Sequence, residues 1–319
     1  MTALDPDRFR GCLLGLAVGD ALGTTLEFEP PGRLKPIETI VGGGPFNLRP
    51  GEWTDDTAMA LCLAASLIEK NAFDPIDQLE RYVRWRREGD MSCTGTCFDI
   101  GATVSAALQR FERTREPYCG DPDPMTAGNG SIMRLAPVAM RYAANPRKAI
   151  GFAAASSRTT HRAGEAVDAC RYLASLLVGL LSGGSKEAVL HEAWEAVPGL
   201  WDTEPLARRV ARIRRGSFKI RNPPQIRGTG YVIASLEAAL WAFWKATSFR
   251  EGALLAVNLG DDADTTGAVY GQLAGAAYGR SGIPEEWLVC LAWRERIQAM
   301  ADGLWEAGST KPRATSHER

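Results

Sequence analysis

The chain has 319 residues, 45% of them apolar and 24% charged, with a formal net charge of −1. That balance fits an ordinary globular protein and is too apolar for a disordered chain. Near-neutral charge without a basic block leaves no electrostatic footprint for nucleic acid, and no apolar run reaches membrane-spanning length, so neither partner is expected.

The first residues lack an apolar signal segment. The seven cysteines are odd in number and contain no Cys-x-x-Cys pair, so they read as reduced, mostly buried thiols. Both features set the expectation of a cytoplasmic protein. Residues 7–23 carry Phe9, Cys12, Leu13, Leu16, Ala17 and Leu22 at helical spacing. Gly11, Gly15, Gly19 and Gly23 recur every fourth position along the same helix, and the spacing returns at Gly267, Gly271, Gly275 and Gly279. Each such glycine costs about 1 kcal/mol against Ala. The cost is tolerable where another backbone must come close, so both helices are expected to be central and tightly packed. Asp20, Gln272 and the short apolar lengths exclude a membrane pair of this kind.

Residues 27–50, rich in Pro and Gly, form a loop long enough to suggest a function. Gly51-Glu52-Trp53-Thr54-Asp55-Asp56-Thr57 then opens an apolar helix over 58–68, and another helix is expected at 76–87. The polar break 89–101 contains Asp99, read as the start of a helix that runs to about Phe111 and, by residue type alone, as its cap. Gly128-Asn129-Gly130-Ser131 is first of all a turn. Leading into a helix, as read here, it would offer backbone N–H groups that suit a phosphate.

Residues 146–182 read as two helices separated by Thr159-Thr160-His161, the second apolar nearly all round. His161 is one of three histidines, and no Ser or Cys nucleophile motif accompanies it. Amphipathic helices are expected at 185–197 and 204–215, a loop at 220–230, and an apolar helix over 231–246 with Trp241 and Trp244 in the core. A last helical region is expected at 285–306. Strand alternation is almost absent and no stretch has linker composition. The reading is one compact all-α domain over residues 1–307, then a polar, disordered tail at 308–319. No heptad or exposed apolar helix demands a partner, so a monomer is expected.

The densest chemistry lies at Gly260-Asp261-Asp262-Ala263-Asp264-Thr265-Thr266-Gly267, between two apolar segments. Placing three carboxylates there is costly unless a cation or donors compensate them. An all-oxygen donor set suits a hard cation such as Mg²⁺, Mn²⁺ or Ca²⁺. Capping explains one or two of these residues, not three carboxylates. Thr54-Asp55-Asp56 repeats the theme far upstream. Singly, each cluster is more often a cap; together they point to one metal, or to two held by bridging carboxylates roughly 3.5–4 Å apart. Asp262-Ala263-Asp264-Thr265-Thr266 also contains the D-x-D-x-T pattern of phosphatases with an aspartyl nucleophile, but that chemistry needs a βαβ framework, which the helical pattern does not provide.

Five segments, in order, resemble the ADP-ribosylglycohydrolase family and most of all its bacterial arginine-type members. They are Gly11-Cys12-Leu13-Leu14-Gly15-Leu16-Ala17-Val18-Gly19-Asp20-Ala21-Leu22-Gly23, Trp53-Thr54-Asp55-Asp56-Thr57, Gly128-Asn129-Gly130-Ser131-Ile132-Met133-Arg134, Thr160-His161, and residues 258–267. The resemblance implies an all-α fold around a binuclear centre of two divalent cations, Mg²⁺ or Mn²⁺. Its ligands would be Thr54, Asp55, Asp56, Asp262, Asp264 and Thr265. Asp261 stands where many relatives have glycine and is read as supporting the ligands from behind.

The same resemblance implies that Gly128, Asn129, Gly130 and Ser131 hold a diphosphate, with His161 among the substrate-binding residues. Cys97-Phe98-Asp99-Ile100-Gly101 is similar to a segment that carries a carboxylate near the scissile bond, which raises Asp99 from cap to candidate base. Tyr231 would lie near a substrate guanidinium, and Glu27 where relatives have an active-site carboxylate. The implied reaction is hydrolysis of the N-glycosidic bond to arginine in a mono-ADP-ribosylated protein, with ADP-ribose as product, Asp55 and Asp264 on the metals, and a metal-bound or Asp99-activated water as the attacking group. Serine, acetyl-ester and nucleic-acid linkages, and a non-catalytic ADP-ribose binder, stay open as alternatives.

Overall fold

The computed structural model describes residues 4–309. Within them the chain forms fifteen α-helices and no β-strand. Strand-like pairing among the described residues is limited to isolated bridges: Gly43 with Leu48, Asp121 with His161, and Gly128 with Tyr231. The βαβ framework of the phosphatase reading is therefore missing from the described chain.

Helices α1 (Pro6–Gly23) and α13 (Ala263–Tyr278) lie antiparallel at the centre. All residues over 11–23 and 263–276 are buried. A helix without a solvent face carries no amphipathic stripe, which is why both read as apolar and small throughout. The two glycine rows face each other. A Cβ added at Gly11, Gly15 or Gly19 would collide with the carbonyl oxygen of Gly275, Gly271 or Gly267, and one at Gly23 with that of Ala263. The expected close backbone approach is thus a contact between these two helices.

Around this pair pack α2 (Asp55–Lys70), α7 (Gly164–Leu181), α11 (Val232–Lys245) and α12 (Phe249–Val257). Trp241 is buried and Trp244 half-buried. The outer helices are amphipathic and begin on strong local signals. Asp74 caps α3 (Pro75–Glu88), and Asn145 caps α6 (Pro146–Arg158), each followed by proline at the first helical position.

Several boundaries differ from expectation. Asp99 begins no helix: it has φ +58° in a turn, and α4 (Ala102–Thr114) starts after Gly101 without a side-chain cap. Asp tolerates this left-handed conformation because its side chain is short and polar. Gly128-Asn129-Gly130-Ser131 does not open a helix either, since turns intervene before α5 (Ala136–Arg141).

The region expected as helix at 185–197 holds only α8 (Lys186–Val189), with α9 (Leu200–Thr203) beyond it. Of residues 204–215 only α10 (Arg208–Arg214) is helical. The last helical region is broken into α14 (Glu285–Cys290) and α15 (Arg294–Ser309), because residue 292 pairs with the loop before Thr54: Ala292 N–H donates to Gly51 O at 2.9 Å, and Ala292 O accepts from Trp53 Nε1 at 3.1 Å. Helix α15 includes Gly308 and Ser309, where a tail was expected to begin; the rest of that tail lies outside the described residues.

Gly271→Ala should destabilise the protein by about 3 kcal/mol or more, since both walls are backbone and cannot yield. Gly151→Ala in α6, where nothing lies within 4 Å of the added carbon, should be neutral or stabilise by up to about 1 kcal/mol. Urea unfolding of the pair checks this; equal effects would contradict the tight-seam account.

Candidate active site

The α1–α13 seam carries the end of α1 to the start of α13, and two carboxylates there cap two helices that are not their own. Asp20, wholly buried, accepts from the backbone and hydroxyl of Thr54 (both 2.9 Å) and from the backbone and hydroxyl of Thr57 (3.0 and 2.6 Å). It caps α2, whose N-cap residue Thr54 makes no side-chain cap of its own. Glu27, just past α1, accepts from Ala263 N–H at 2.8 Å and Asp264 N–H at 3.4 Å and so caps α13, whose N-cap Asp262 likewise makes none. Negative charge is favoured at both positive helix ends. With the caps supplied from outside, the side chains of Thr54, Asp56, Asp264 and Thr265 approach one another, and Asp55, Asp262 and Asp264 line one cleft.

Their oxygens are close and poor in protons. Asp264 Oδ2 lies 3.1 Å from Thr54 Oγ1, and Asp56 Oδ2 lies 3.3 Å from Thr265 Oγ1. A hydroxyl has one proton. Thr54 Oγ1 also stands 2.9 Å from Asp20 Oδ1, and one proton cannot serve both carboxylates, so one of the two approaches sets lone pair against lone pair. Asp56 Oδ1 is buried with no hydrogen-bond partner. Glu27, Asp262 and Asp264 each bring one oxygen within 4.8 Å of the others. Adjacent oxygens around an octahedral Mg²⁺ stand about 3 Å apart, so this donor set fits divalent cations.

The electrostatics agree. Burial first, then the Asp264 charge, push Asp20 and Asp262 up to about 7 and Asp99 up to about 11. The same two causes move Glu27, Asp55 and Asp56 well upward. Like charges in a low-dielectric pocket resist ionisation unless a cation joins them.

Above the cluster is a cleft of about 360 Å³ lined by Glu27, Asp55, Asp99, Asn129, His161 and Asp264, among others. The Gly128–Ser131 turn forms one wall. It is fixed by Asn129 N–H to Gly230 O at 3.1 Å, by Asn129 Nδ2 to Asp262 Oδ2 at 3.1 Å, and by Gln272 of α13, whose amide nitrogen donates to Ile132 O and Met133 O at 3.0 and 2.7 Å. The N–H groups of Gly128 and Asn129 bond to protein carbonyls; those of Gly130 and Ser131 have no acceptor among the described residues. Ser131 turns its hydroxyl inward, hydrogen-bonded with Ser157 Oγ at 2.9 Å, so only its backbone is left for a ligand.

Two other expected residues lie elsewhere. Tyr231 lines an adjoining hollow of about 720 Å³, not the acidic cleft, and its hydroxyl bonds to Glu165 and Arg209. Asp261 forms a two-point ion pair with Arg227 (2.9 and 2.6 Å), while its backbone pairs with Phe28 and Glu29 and so anchors the Glu27 loop.

A family model described as ADP-ribosylglycohydrolase matches residues 1–314. The chain belongs to the ADP-ribosylglycohydrolase family. It is similar to the ADP-ribosylarginine hydrolase Tri1 of Pseudomonas putida (strain GB-1), with 46% identity over 300 residues, 94% of this chain and 78% of that protein. Against Tri1 of Serratia proteamaculans (strain 568) the identity is 43% over 299 residues, 94% and 79% of the two chains. The ADP-ribosyl-[dinitrogen reductase] glycohydrolase of Rhodospirillum rubrum is 33% identical over 308 residues, 93% and 95% of the two chains. A solved structure described as an ADP-ribosylglycohydrolase-related protein complex superposes with a TM-score of 0.83 at 44% identity, covering 95% of this chain and 98% of that one.

Sequence reasoning missed two residues that support the site, Asp20 and Gln272. Each was legible only as a polar residue inside an apolar segment, where a buried charge or amide needs a partner.

Carboxylates whose folded pKa is raised bind more protons folded than unfolded, so metal-free stability should fall as pH rises from the ordinary value near 3.8 through about 7. Added Mg²⁺ or Mn²⁺ should raise the unfolding temperature of EDTA-treated protein and flatten that slope. Asp56→Asn should stabilise the metal-free form and lose most of the cation's increment. Thermal unfolding across pH checks all three; metal-free stability that rises with pH in this window would contradict the crowding.

Proposed function

We propose that the protein hydrolyses the N-glycosidic bond between ADP-ribose and an arginine side chain of a mono-ADP-ribosylated protein. One observation carries the reading: the acidic starts of α2 and α13 meet at the floor of one cleft, in a chain 46% identical to an ADP-ribosylarginine hydrolase. In this proposal Thr54, Asp55, Asp56, Asp262, Asp264 and Thr265 hold two divalent cations, Mg²⁺ or Mn²⁺, with Glu27 beside them. When bound, the cations would supply Lewis acidity toward the ribose hydroxyls and offset the buried carboxylates.

The chain's own groups do the rest. Asp99, on the cleft wall, takes the proton of the attacking water and returns it to the departing guanidine. The free N–H groups of Gly130 and Ser131, with His161 beside the turn, bind the diphosphate. The ring of Tyr231, 37% exposed, offers a face to the planar guanidinium. The active unit is proposed to be the monomer. Seven free thiols suit a reducing cytoplasm, and no helix of the described residues is long and apolar enough to cross a membrane.

The test is release of free ADP-ribose from a protein modified on arginine, run beside serine-, acetyl-ester- and nucleic-acid-linked substrates. Release from arginine that Mg²⁺ or Mn²⁺ supports and EDTA stops is expected. Asp55→Ala and Asp264→Ala should abolish it, and Asp99→Asn should lower kcat by about 10²–10⁴ with little change in KM. Release from another linkage alone would overturn the arginine assignment; ADP-ribose binding without release from any substrate would overturn the enzyme.

A further inference from the structure

Arg134 is wholly buried, yet it forms no ion pair among the described residues. Its guanidinium lies 4.7 Å from the centre of the Tyr82 ring, and its Nη1 rests on Met59 Sδ at 3.6 Å. Nη2 donates to Thr160 Oγ1 at 2.6 Å, and that oxygen stands 2.9 Å from Nδ1 of His161. A guanidinium only donates, whereas a hydroxyl has one proton and two lone pairs. Were Nδ1 also to donate, the Thr160 proton would have no acceptor, and Thr160 is fully buried. A buried unsatisfied O–H is costly. The arrangement without an orphan has Thr160 donating to Nδ1, which leaves the proton of the neutral ring on Nε2.

The other edge of the ring faces the cleft. His161 packs against the α-carbons of the glycine turn: a Cβ at Gly130 would lie 2.8 Å from Cε1 and 3.1 Å from Nε2, and one at Gly128 3.3 Å from Nε2. His161 lines the cleft, and Nε2 has no protein partner among the described residues. The residue is 2% exposed, so that opening is its one route to a partner. The same turn carries the unbonded N–H groups of Gly130 and Ser131. Burial, then the Arg134 charge, hold the ring's pKa down at about 3, which keeps it neutral at working pH.

We infer that Arg134 and Thr160 are positioning residues that fix His161 as the Nε2–H tautomer, so that it presents a hydrogen-bond donor to an anionic oxygen of the ligand. That this oxygen belongs to a diphosphate rests on the ADP-ribosyl reading above. The three donors around the turn then match an oxyanion and disfavour a ligand that brings a donor there. Glycine at positions 128 and 130 follows from the ring's approach as well as from the turn.

The tautomer is measured directly by long-range ¹H–¹⁵N correlation spectra of labelled full-length protein with Mg²⁺; three histidines keep the spectrum readable. A protonated Nε2 and an unprotonated Nδ1 are expected for His161, unchanged in Thr160→Ser. Thr160→Val should give a mixed or reversed tautomer and weaken ADP-ribose binding about tenfold, the loss of one charge-assisted hydrogen bond, while kcat changes little. Nδ1–H in the unaltered protein, which needs no variant to fold, would overturn the proposal. So would a folded Thr160→Val protein that keeps both tautomer and affinity. Failure of the unaltered protein to bind ADP-ribose would instead overturn the functional reading, with the tautomer still decided by the spectrum.

Discussion

Between Gly11 and Gly23 the backbone of α1 lies directly against that of α13, with no side chain between them. Glycine in a helix costs about 1 kcal/mol relative to alanine, and seven glycines of the two rows lie in these helices, four in α1 and three in α13. The return is dense packing of two fully buried helices and a fixed antiparallel register. That register matters more than the packing, because it sets the end of α1 beside the start of α13. Asp20 and Glu27 reach their helix ends only from there.

The second consequence is electrostatic. A helix N-terminus normally takes its cap from its own N-cap residue. Here Asp20 and Glu27 perform that task for α2 and α13, and the local Thr and Asp side chains are left to face inward. The folded state therefore holds a group of carboxylates that repel one another and that no Lys or Arg pairs with among the described residues. Such a site is a poor stability device alone and a strong one for a divalent cation. The same carboxylates shape the cleft, with Asn129 tying the glycine turn to Asp262.

Much of this was legible in the sequence. The glycine rows announced a close helix pair, and the two acidic motifs announced a shared site, because residue type and spacing carry those messages locally. Asp20 was not legible: it sits in an apolar helix, and its partners Thr54 and Thr57 are remote in sequence. Glu27 was placed near the site by resemblance, but its capping of α13 required the fold. Asp99 was read as a helix start because its neighbours permit one, whereas its positive φ aims it into the cleft from a turn. The helices expected at 185–197 and 204–215 shrank to short pieces. Amphipathic periodicity there marks which side faces the core and does not fix helix length.

The central claim is that the two acidic motifs make one centre, neither being a site alone. Titration of Mn²⁺ into EDTA-stripped protein, followed by calorimetry, tests it most directly. The account expects two cations per chain, with both lost in Asp264→Ala and both weakened in Asp20→Asn. A full-affinity site that survives in Asp264→Ala, held by Thr54, Asp55 and Asp56 alone, would contradict it.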